Sequence, residues 1–381
     1  IYMKNPIYTL GICNGETSSA CLFINGDLSL AVSEERFSRV KFDKSFPLQS
    51  INSILINSNL ELKDINNFAY SWASGWNNNL NDVYKKRIKQ LNNNKKDLKI
   101  LKDRKKRDHY QDKNRFNLFI KWCDENLNNQ QKNNIKIYNH HEAHAASASY
   151  LSPFNKGLVL TSDGRGDFES LTISIFKNNK LKKIYSSTSS DSLGYFYGRI
   201  TGLLGFERKY EGKVTGLAAH GDSKKALKLM QKMITVKNGE LIANLGDYYK
   251  PYIAPYSKKL IKCINMYKKE DIAAAAQEHL QWCIIELIKF HSKKMKIKKI
   301  NLMLAGGTFA NVKLNEALKS IPFIKNIFVQ PHMADGGLCL GASCLLLKAK
   351  KINVSKLKSM HLGPAVNTKN FIIKYKNSKK L

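Results

Sequence analysis

The sequence predicts an α/β protein of two similar lobes, each with a mixed central sheet flanked by helices. The first observation is an internal repeat. LGICNGETSSACLFINGDLSLAVSEE, from Leu10, and LVLTSDGRGDFESLTISIFKNNKLKKIYSS, from Leu158, each contain three short strands separated by turns. The second observation is helical periodicity after each repeat, in FPLQSINSILINSNL and in DIAAAAQEHLQWCIIELIKFHSKK, from Asp271. Two β-meanders, each followed by helices, indicate a duplicated fold.

In each repeat, the turn after the first strand is rich in glycine, hydroxyl and acidic side chains. This pattern is typical of the actin/Hsp70/sugar-kinase-like fold, in which a nucleotide binds between the lobes against these turns. We therefore predict an actin-like unit over residues 8–350. Its first repeat begins at about residue 8 and its second at about residue 157. Chance similarity of two β-hairpins is the alternative explanation.

The composition is that of an ordinary globular protein, with 43% apolar residues among 381. No apolar run reaches the ~18 residues that a membrane-spanning helix needs. The N-terminus, IYMKNPIYTLGIC, lacks the clean apolar core of a secretory signal. The 7 cysteines are scattered without a C-x-x-C pair, which argues against a disulfide framework and a cysteine zinc site. Together these features predict a cytoplasmic protein.

The net charge of +33 raises the question of a nucleic-acid partner. Lysine and asparagine are abundant along nearly the whole chain, which indicates a general compositional bias. The densest basic block, KKRIKQLNNNKKDLKILKDRKKRDH at residues 85–109, contains no interleaved aromatic residue. This pattern favours a helix with a solvated basic face over a nucleic-acid-binding patch.

Three histidines lie close together in YNHHEAHAASASYLSPF, residues 138–154. They do not form the zinc-protease motif His-Glu-x-x-His, because His144 comes one residue too early after His141 and Glu142. His140 and His144 are four residues apart and share one face of a predicted helix. Two imidazoles do not complete a metal site, so the segment alone is either half of such a site or a polar helix face.

Seven segments, in this order, resemble the O-carbamoyltransferase family of nodulation-factor and antibiotic biosynthesis. The N-terminal domain of that family is similar to the tRNA threonylcarbamoyl-transfer proteins. The segments span most of residues 8–345. They are SSACLFINGDLSLAVSEERFSRVKFDKSFP, NHHEAHAASASYLSPF, SDGRGDFES, SLGYFYGRITGLLGF, EGKVTGLAAHGD, LAGGTFANVKLN and VQPHMADGGLCLGAS.

The resemblance implies an enzyme with two domains. An actin-like domain transfers a carbamoyl group to a hydroxyl of a sugar or natural-product acceptor. A C-terminal domain similar to the YrdC family makes carbamoyl-adenylate from carbamoyl phosphate and ATP. We expect this chain to be the transfer domain, with residues 351–381 as a connector to an activation domain supplied in cis or in trans.

The resemblance also implies a divalent metal, iron first, with manganese or zinc as alternatives. Its ligands would be His140, His144, Asp163 in SDGRGD and Asp335 in ADGG. Nitrogen and oxygen ligands suit all three metals. The alternative is that both aspartates cap turns, as Asp before Gly often does.

Two glycine pairs are candidates for binding the nucleotide. Gly306 and Gly307 follow an apolar strand and let backbone approach a ribose or adenine. Asn311 matches an asparagine of the family after this turn and could bond the nucleotide. Gly336 and Gly337 could turn backbone N–H groups towards phosphate. Plain turns would give the same pattern at both places.

By resemblance, Lys41 faces the transfer pocket and Lys213, on a glycine-rich turn, reaches a phosphate or a carbamoyl oxygen. Surface exposure is the alternative for both lysines. Glu16 stands where many members of the family have histidine. A base role for Glu16 would require a raised pKa. His141 is expected to point away from the metal face of its helix, and Glu142 either orients an imidazole or is exposed.

Two other functions remain open from the sequence. A relative that transfers threonylcarbamoyl to tRNA would explain the positive charge. A non-catalytic scaffold that binds nucleotide would explain both Glu16 and the expected lack of an activation domain. The segments EERFSRVK and SLGYFYGRITGLLGF favour the O-carbamoyl branch of the family over the tRNA branch.

Overall fold

Two five-stranded sheets with the same strand order organise the protein. The computed structural model describes residues 5–75, 82–91, 94–207, 209–250, 256–296 and 298–364. The first sheet consists of β1 (Tyr8–Cys13), β2 (Ser19–Ile24), β3 (Asp27–Ser33), β4 (Asn67–Ser71) and β5 (Ile135–Tyr138). Its order is β3-β2-β1-β4-β5. The first three strands pair antiparallel, and β4 and β5 continue the sheet in parallel.

The second sheet repeats this arrangement. It consists of β6 (Lys156–Gly166), β7 (Glu169–Lys177), β8 (Lys180–Thr188), β11 (Ile300–Ala305) and β12 (Ile324–Val329). Its order is β8-β7-β6-β11-β12, again three antiparallel strands followed by two parallel ones. A small separate sheet pairs β9 (Ile234–Lys237) with β10 (Glu240–Ala243). The predicted duplicated actin-like fold with mixed sheets is confirmed.

Helices flank both sheets. In the first half they are α1 (Glu35–Ser38), α2 (Leu48–Asn57), α3 (Asp82–Gln90), α4 (Lys95–Asn126), α5 (Asn129–Asn133) and α6 (His140–Tyr150). In the second half they are α7 (Leu193–Leu203), α8 (Glu211–Leu217), α9 (Ser223–Met233), α10 (Lys258–Ile264), α11 (Lys269–Lys294), α12 (Val312–Lys319) and α13 (Leu338–Ala349). None of the helices in the described ranges combines the length and apolar character needed to cross a membrane.

Two helices, α6 and α13, lie between the sheets. Helix α13 packs on β1 and β4, α6 packs on β6 and β11, and the two helices pack on each other. Their alanines, serines and Gly341 permit this close approach. A Cβ added at Gly341 would lie 1.7 Å from the backbone oxygen of Ala143. The site residues on α6 are therefore held in the centre of the molecule.

The basic block at residues 85–109 differs from its prediction. Most of it is helical, in α3 and α4, but its charged side chains are not all solvated. Arg87, Arg104 and Asp108 are buried. Arg87 pairs with Asp191 at 3.0 Å, and Arg104 pairs with Asp108 at 2.7 Å. Sequence periodicity could not show this, because Asp191 comes from a distant segment.

The segment after α13 packs back on the first lobe. Val354 is buried, and the backbone N–H of Ala31 donates to the oxygen of Leu362 at 2.8 Å. Residues 365–381 of the predicted connector lie outside the described residues.

Candidate metal centre

The first half of the candidate centre is the N-terminal turn of α6. The Asn139 side chain caps this helix by accepting from the backbone N–H of Glu142 at 3.1 Å. Both His140 and His144 are completely buried. Nε2 of His140 lies 2.8 Å from Oδ2 of Asp163, and Nε2 of His144 lies 3.2 Å from the same oxygen. The predicted pair of imidazoles therefore meets a carboxylate from β6.

The second carboxylate comes from Asp335, in the short 3-10 turn ahead of α13. Its Oδ1 lies 3.9 Å from Nε2 of both His140 and His144. One ligand atom from each of the four residues lies within 4.8 Å of the other three. Two atoms bound to one ion at roughly 2.0–2.2 Å are at most about 4.4 Å apart, so this spread is close to that of a metal site.

The donor set fits a divalent transition metal. Within the described ranges, Nε2 of His144 and Oδ1 of Asp163 are buried and make no hydrogen bond. Such atoms are costly to bury unless something compensates them. Two imidazole nitrogens with two carboxylates suit iron, manganese or zinc.

The electrostatics favour an ionised Asp163 in this cluster. Burial alone would raise the pKa of Asp163, but His141, His140 and His144 hold it well below its usual range. Burial lowers the pKa of His144. Burial also acts to lower the pKa of His140, but Asp163, Asp335 and Asp167 outweigh it and raise that pKa. An ionised Asp163 and a neutral His144 are the forms that bind metals.

The expectation that His141 points away from the centre is wrong. His141 is buried, its Nδ1 lies 2.8 Å from Oγ1 of Thr161, and its Nε2 lies 3.5 Å from Oδ1 of Asp163. The Asp163 carboxylate has two oxygens and can contact two neighbouring positions of the helix turn. Glu142 is exposed.

A supporting layer around His140 was not predicted. The Asp167 carboxylate accepts from the backbone N–H groups of His140, Ala73 and Ser74, at 2.6, 2.9 and 2.8 Å. A Cβ at Gly166 would lie 2.0 Å from the His140 ring. The SDGRGD motif contains Gly166 and Asp167. The sequence therefore showed that this turn is unusual, but it could not show that the turn contacts His140.

Trp72 also packs against His140, with ring centroids 4.3 Å apart. Its φ of 102° lies in the left-handed region that large residues rarely adopt. Arg115 lies over the same indole, 4.5 Å from its centroid. No sequence signal pointed to Trp72, because its contacts come from α4 and α6.

A buried charge network joins α4 to the turn that follows Asp163. Arg165 contacts Asp112 at 2.6 Å and Asp108 at 3.2 Å. Arg104 contacts Asp108 and donates to the Tyr195 hydroxyl at 2.8 Å. These paired charges fix the SDGRGD turn against α4.

Glu16 approaches the centre through its backbone. Its N–H donates to Oδ2 of Asp335 at 2.7 Å. Its side chain pairs with Lys44 at 2.7 Å and Arg115 at 2.9 Å. Burial would raise the pKa of Glu16, but Arg115, Lys44 and Lys209 outweigh it and lower that pKa to about 2. Glu16 therefore lacks the raised pKa that the predicted base role requires.

Lys41 and Lys213 are both exposed and lie near the same aromatic residue. The Nζ of Lys41 is 5.8 Å from the Tyr210 ring centroid, and the Nζ of Lys213 is 4.7 Å from it. Lys213 lies on α8, a short helix, where a glycine-rich turn was expected. The structure thus brings these two lysines together outside the four-residue centre.

The glycine pairs differ in their surroundings. Gly306 has φ of 98°, and a Cβ there would lie 2.2 Å from the Ser162 oxygen, whereas Gly307 faces open space. A Cβ at Gly336 would lie 2.2 Å from Nε2 of His332, and Gly337 is equally crowded. Only Gly307 leaves room for a ligand to approach its Cα.

Asn311 makes protein contacts with its whole amide. Its oxygen caps α12 by accepting from the Leu314 N–H at 2.9 Å. Its nitrogen donates to the oxygen of Gln277 at 2.8 Å, and the Gln277 nitrogen donates back at 3.1 Å. These contacts hold the segment after β11 against α11.

The chain belongs to the Carbamoyltransferase N-terminus family, which it matches over residues 9–344. The predicted family resemblance is confirmed. The chain is 29% identical over 360 residues to nodulation protein NolNO of Sinorhizobium fredii, covering 91% of this chain and 48% of that protein. Nodulation protein NolO of Bradyrhizobium diazoefficiens is 32% identical over 216 residues, which is 55% of this chain and 38% of that protein.

An uncharacterised protein of Methanocaldococcus jannaschii is 30% identical over 354 residues, covering 91% of this chain and 58% of its own length. The chain spans about half the length of the relatives it matches over most of its sequence.

Solved structures give a weaker likeness. Component A of the (R)-2-hydroxyglutaryl-CoA dehydratase of Acidaminococcus fermentans has a TM-score of 0.49 at 15% identity, over 90% of this chain and 99% of that chain. HypF of T. kodakarensis has a TM-score of 0.49 at 11% identity, over 92% and 50%. The strand order of the two sheets, rather than these scores, defines the fold.

Proposed function

We propose that this chain transfers a carbamoyl group from carbamoyl-adenylate to a hydroxyl of a sugar or related natural product. The observation that carries the proposal is the convergence of His140, His144, Asp163 and Asp335 in a chain of the carbamoyltransferase family. Carbamoyl-adenylate would be made from carbamoyl phosphate and ATP by a YrdC-like domain in cis or in trans.

In the proposed reaction the acceptor oxygen bonds to the carbamoyl carbon while the bond from that carbon to the phosphate oxygen breaks. AMP leaves, one proton is released, and a carbamate ester forms. A divalent metal held by the four residues would polarise the carbamoyl carbonyl. Asp163 is already ionised, as a metal ligand must be. The pKa of His140 is raised, so His140 would release a proton when the metal binds.

The remaining site residues have supporting roles in this proposal. Gly306 and Gly307 would lie against the nucleotide, because the backbone at Gly307 is open to a ligand. Gly336 and Gly337 would shape the turn that contains Asp335. Asn311 would fix the segment after β11 beside the nucleotide. Lys41 would stabilise charge on the carbamoyl group, and Lys213 would contact a phosphate or carbamoyl oxygen of the carbamoyl-adenylate. Glu16 has no base role in this proposal, because its pKa is lowered.

The test supplies isotope-labelled carbamoyl-adenylate, formed by an added YrdC-like domain, to the metal-loaded chain. Aminoglycosides, nucleosides, chito-oligosaccharides and sugar phosphates serve as acceptors. We expect label in at least one acceptor, a loss of about 100-fold or more in His144→Ala, and little change in the matched variant Glu142→Ala on the same helix.

Lack of transfer to every acceptor, by a folded and metal-loaded chain, would contradict the proposal. Nucleotide binding without transfer would then favour the non-catalytic scaffold.

A further inference from the structure

Three cationic side chains from separate segments meet one carboxylate beside the candidate centre. The Nζ of Lys44 lies 2.7 Å from Oε2 of Glu16, and the Nζ of Lys209 lies 3.7 Å from the same oxygen. A guanidinium nitrogen of Arg115 lies 2.9 Å from Oε1. Lys44 follows α1, Arg115 belongs to α4, and Lys209 precedes α8. We call these four residues the rim cluster, in which three positive charges face one negative charge.

The rim cluster is joined to the candidate centre by two routes. The backbone N–H of Glu16 donates directly to Oδ2 of Asp335 at 2.7 Å. The Arg115 guanidinium lies on Trp72, whose ring lies against His140. A molecule bound to the rim cluster would therefore lie next to the centre at which we propose the transfer.

The rim cluster is open to solvent on its lysine side. The side chains of Lys44 and Glu16 are 49% and 43% exposed, and that of Lys209 is 29% exposed. Arg115 is only 16% exposed, because Trp72 and α4 hold its guanidinium in place. An anion can thus arrive from solvent and meet one fixed cation and two adaptable ones.

Hydrogen bonds hold the neighbouring carboxylates in place but do not remove their charge. Asp43 and Glu35 accept from backbone N–H groups of their own loop, at 2.8 and 3.0 Å. Glu211 accepts from the backbone of the loop before α8 at 3.3 Å. Asp112 lies 3.4 Å from Arg115 but is shared with Arg165 at 2.6 Å. Glu16 is the carboxylate that pairs with all three cations of the rim cluster.

We propose that the rim cluster binds a phosphate or carboxylate group carried by the acceptor. In the free protein the Glu16 carboxylate is the counter-ion, and the anionic group of the acceptor replaces it. The acceptors are therefore acidic or phosphorylated sugars, since a cationic amino sugar would be repelled by Lys44, Arg115 and Lys209. This inference rests on the proposed carbamoyl transfer, which alone makes the bound molecule an acceptor.

The test measures binding of three probes to the full chain by calorimetry at low and moderate salt. Glucose 6-phosphate represents an anionic acceptor, glucose a neutral one, and AMP the donor. We expect glucose 6-phosphate to bind at least tenfold more tightly than glucose, with an affinity that falls as salt increases. Equal binding of the two sugars would overturn the proposal.

Variants separate the acceptor from the donor. We expect Lys44→Gln and Lys209→Gln each to weaken the binding of glucose 6-phosphate about tenfold. Glu16→Gln should strengthen this binding by a similar factor. Lys63→Gln is the matched control, because Lys63 pairs with Glu61 at 2.7 Å and is 70% exposed. Thermal melts confirm that each variant is folded. If these changes appear with AMP and not with glucose 6-phosphate, the rim cluster belongs to the donor and the proposal is wrong.

The two proposals fail in different ways. Loss of carbamoyl transfer with every acceptor, while charge-selective binding persists, would leave the anion site intact but refute its role in transfer. Transfer to neutral sugars at the same rate as to their phosphates would refute the acceptor class and leave the carbamoyl transfer standing.

Discussion

At the scale of single residues, Gly166 decides where the His140 ring can lie. The two residues come from different elements, β6 and α6, and a Cβ on Gly166 would overlap the imidazole at 2.0 Å. His140 is completely buried and packs against Trp72, so its ring has little room to move. A single added methyl group therefore acts directly on a candidate metal ligand.

We expect Gly166→Ala to lower metal affinity and to destabilise the protein by about 1–3 kcal/mol, the usual cost of overpacking a core. Gly212→Ala is the matched control, because a Cβ at Gly212 meets nothing within 4 Å. Urea denaturation and elemental analysis measure both effects. Unchanged metal content in Gly166→Ala would show that the ring is placed differently.

The sequence allowed the candidate ligands to be assigned by family resemblance, and their convergence follows from strand ends that face each other in a duplicated fold. It could not show Trp72 or Arg115, which reach His140 and Glu16 through contacts between distant segments. The base role predicted for Glu16 failed for the same reason. Lys44 and Arg115, which lower the pKa of Glu16, come from distant segments of the chain.

At the scale of elements, the crossing of α6 and α13 fixes the distance between the two sheets. Gly341 lies in that crossing, and a Cβ added there would be 1.7 Å from the Ala143 oxygen. Helix periodicity predicted α6. It could not predict which positions must be glycine at the crossing, because that depends on the backbone of the partner helix. The buried charges of α4 could not be predicted for the same reason.

We expect Gly341→Ala to destabilise the protein by several kcal/mol, because backbone on a buried helix must move. Gly216→Ala, on the open face of α8, is the contrasting variant and should stabilise by up to about 1 kcal/mol through helix propensity. Chemical denaturation compares the two. Equal stabilities would indicate that α6 and α13 are further apart than described.

A second contact between elements ties α11 to β9. His279 is buried, and its Nε2 lies 2.6 Å from the Ile234 oxygen. Burial lowers the pKa of His279 below its usual value, and the hydrogen bond only partly offsets this effect. Below about pH 6.5 the unfolded chain therefore binds a proton that the folded protein excludes.

The stability contributed by neutral His279 is present above about pH 6.5 and is lost as the pH falls below it. We expect His279→Gln, which keeps a donor for Ile234, to flatten the loss of stability between about pH 6.5 and 5. Urea denaturation of metal-free protein at several pH values gives the measurement. An identical pH dependence in the variant would exclude His279 as a contributor.

At the scale of the whole molecule, the candidate centre joins three parts of the chain that are far apart in sequence. His140 and His144 come from α6, Asp163 comes from β6, and Asp335 comes from the turn after β12. A ligand that binds only the folded state adds RT ln(1 + [L]/Kd), about 2.7 kcal/mol at a hundredfold excess. Metal binding would thus stabilise the contact between lobes.

We expect chelation to lower the melting temperature of the wild-type chain and to leave His144→Ala nearly unaffected, because that variant should hold little metal. Glu142 is exposed on the same helix. Glu142→Ala should therefore keep its metal and still show the drop in melting temperature on chelation. Elemental analysis and melts before and after chelation make the comparison. Full metal content in His144→Ala would refute the four-residue centre.

The indole that packs against His140 also gives the centre an optical signal. Trp72 is one of 4 tryptophans, and its ring centroid lies 4.3 Å from that of the candidate ligand. An open-shell ion such as Co²⁺ at this distance should quench the emission of Trp72, whereas Zn²⁺, with a filled d shell, should leave most of it. Titration with each ion would report occupancy of the site without any label. Trp72→Phe should abolish the Co²⁺-dependent signal, and its persistence would place the quenched tryptophan elsewhere.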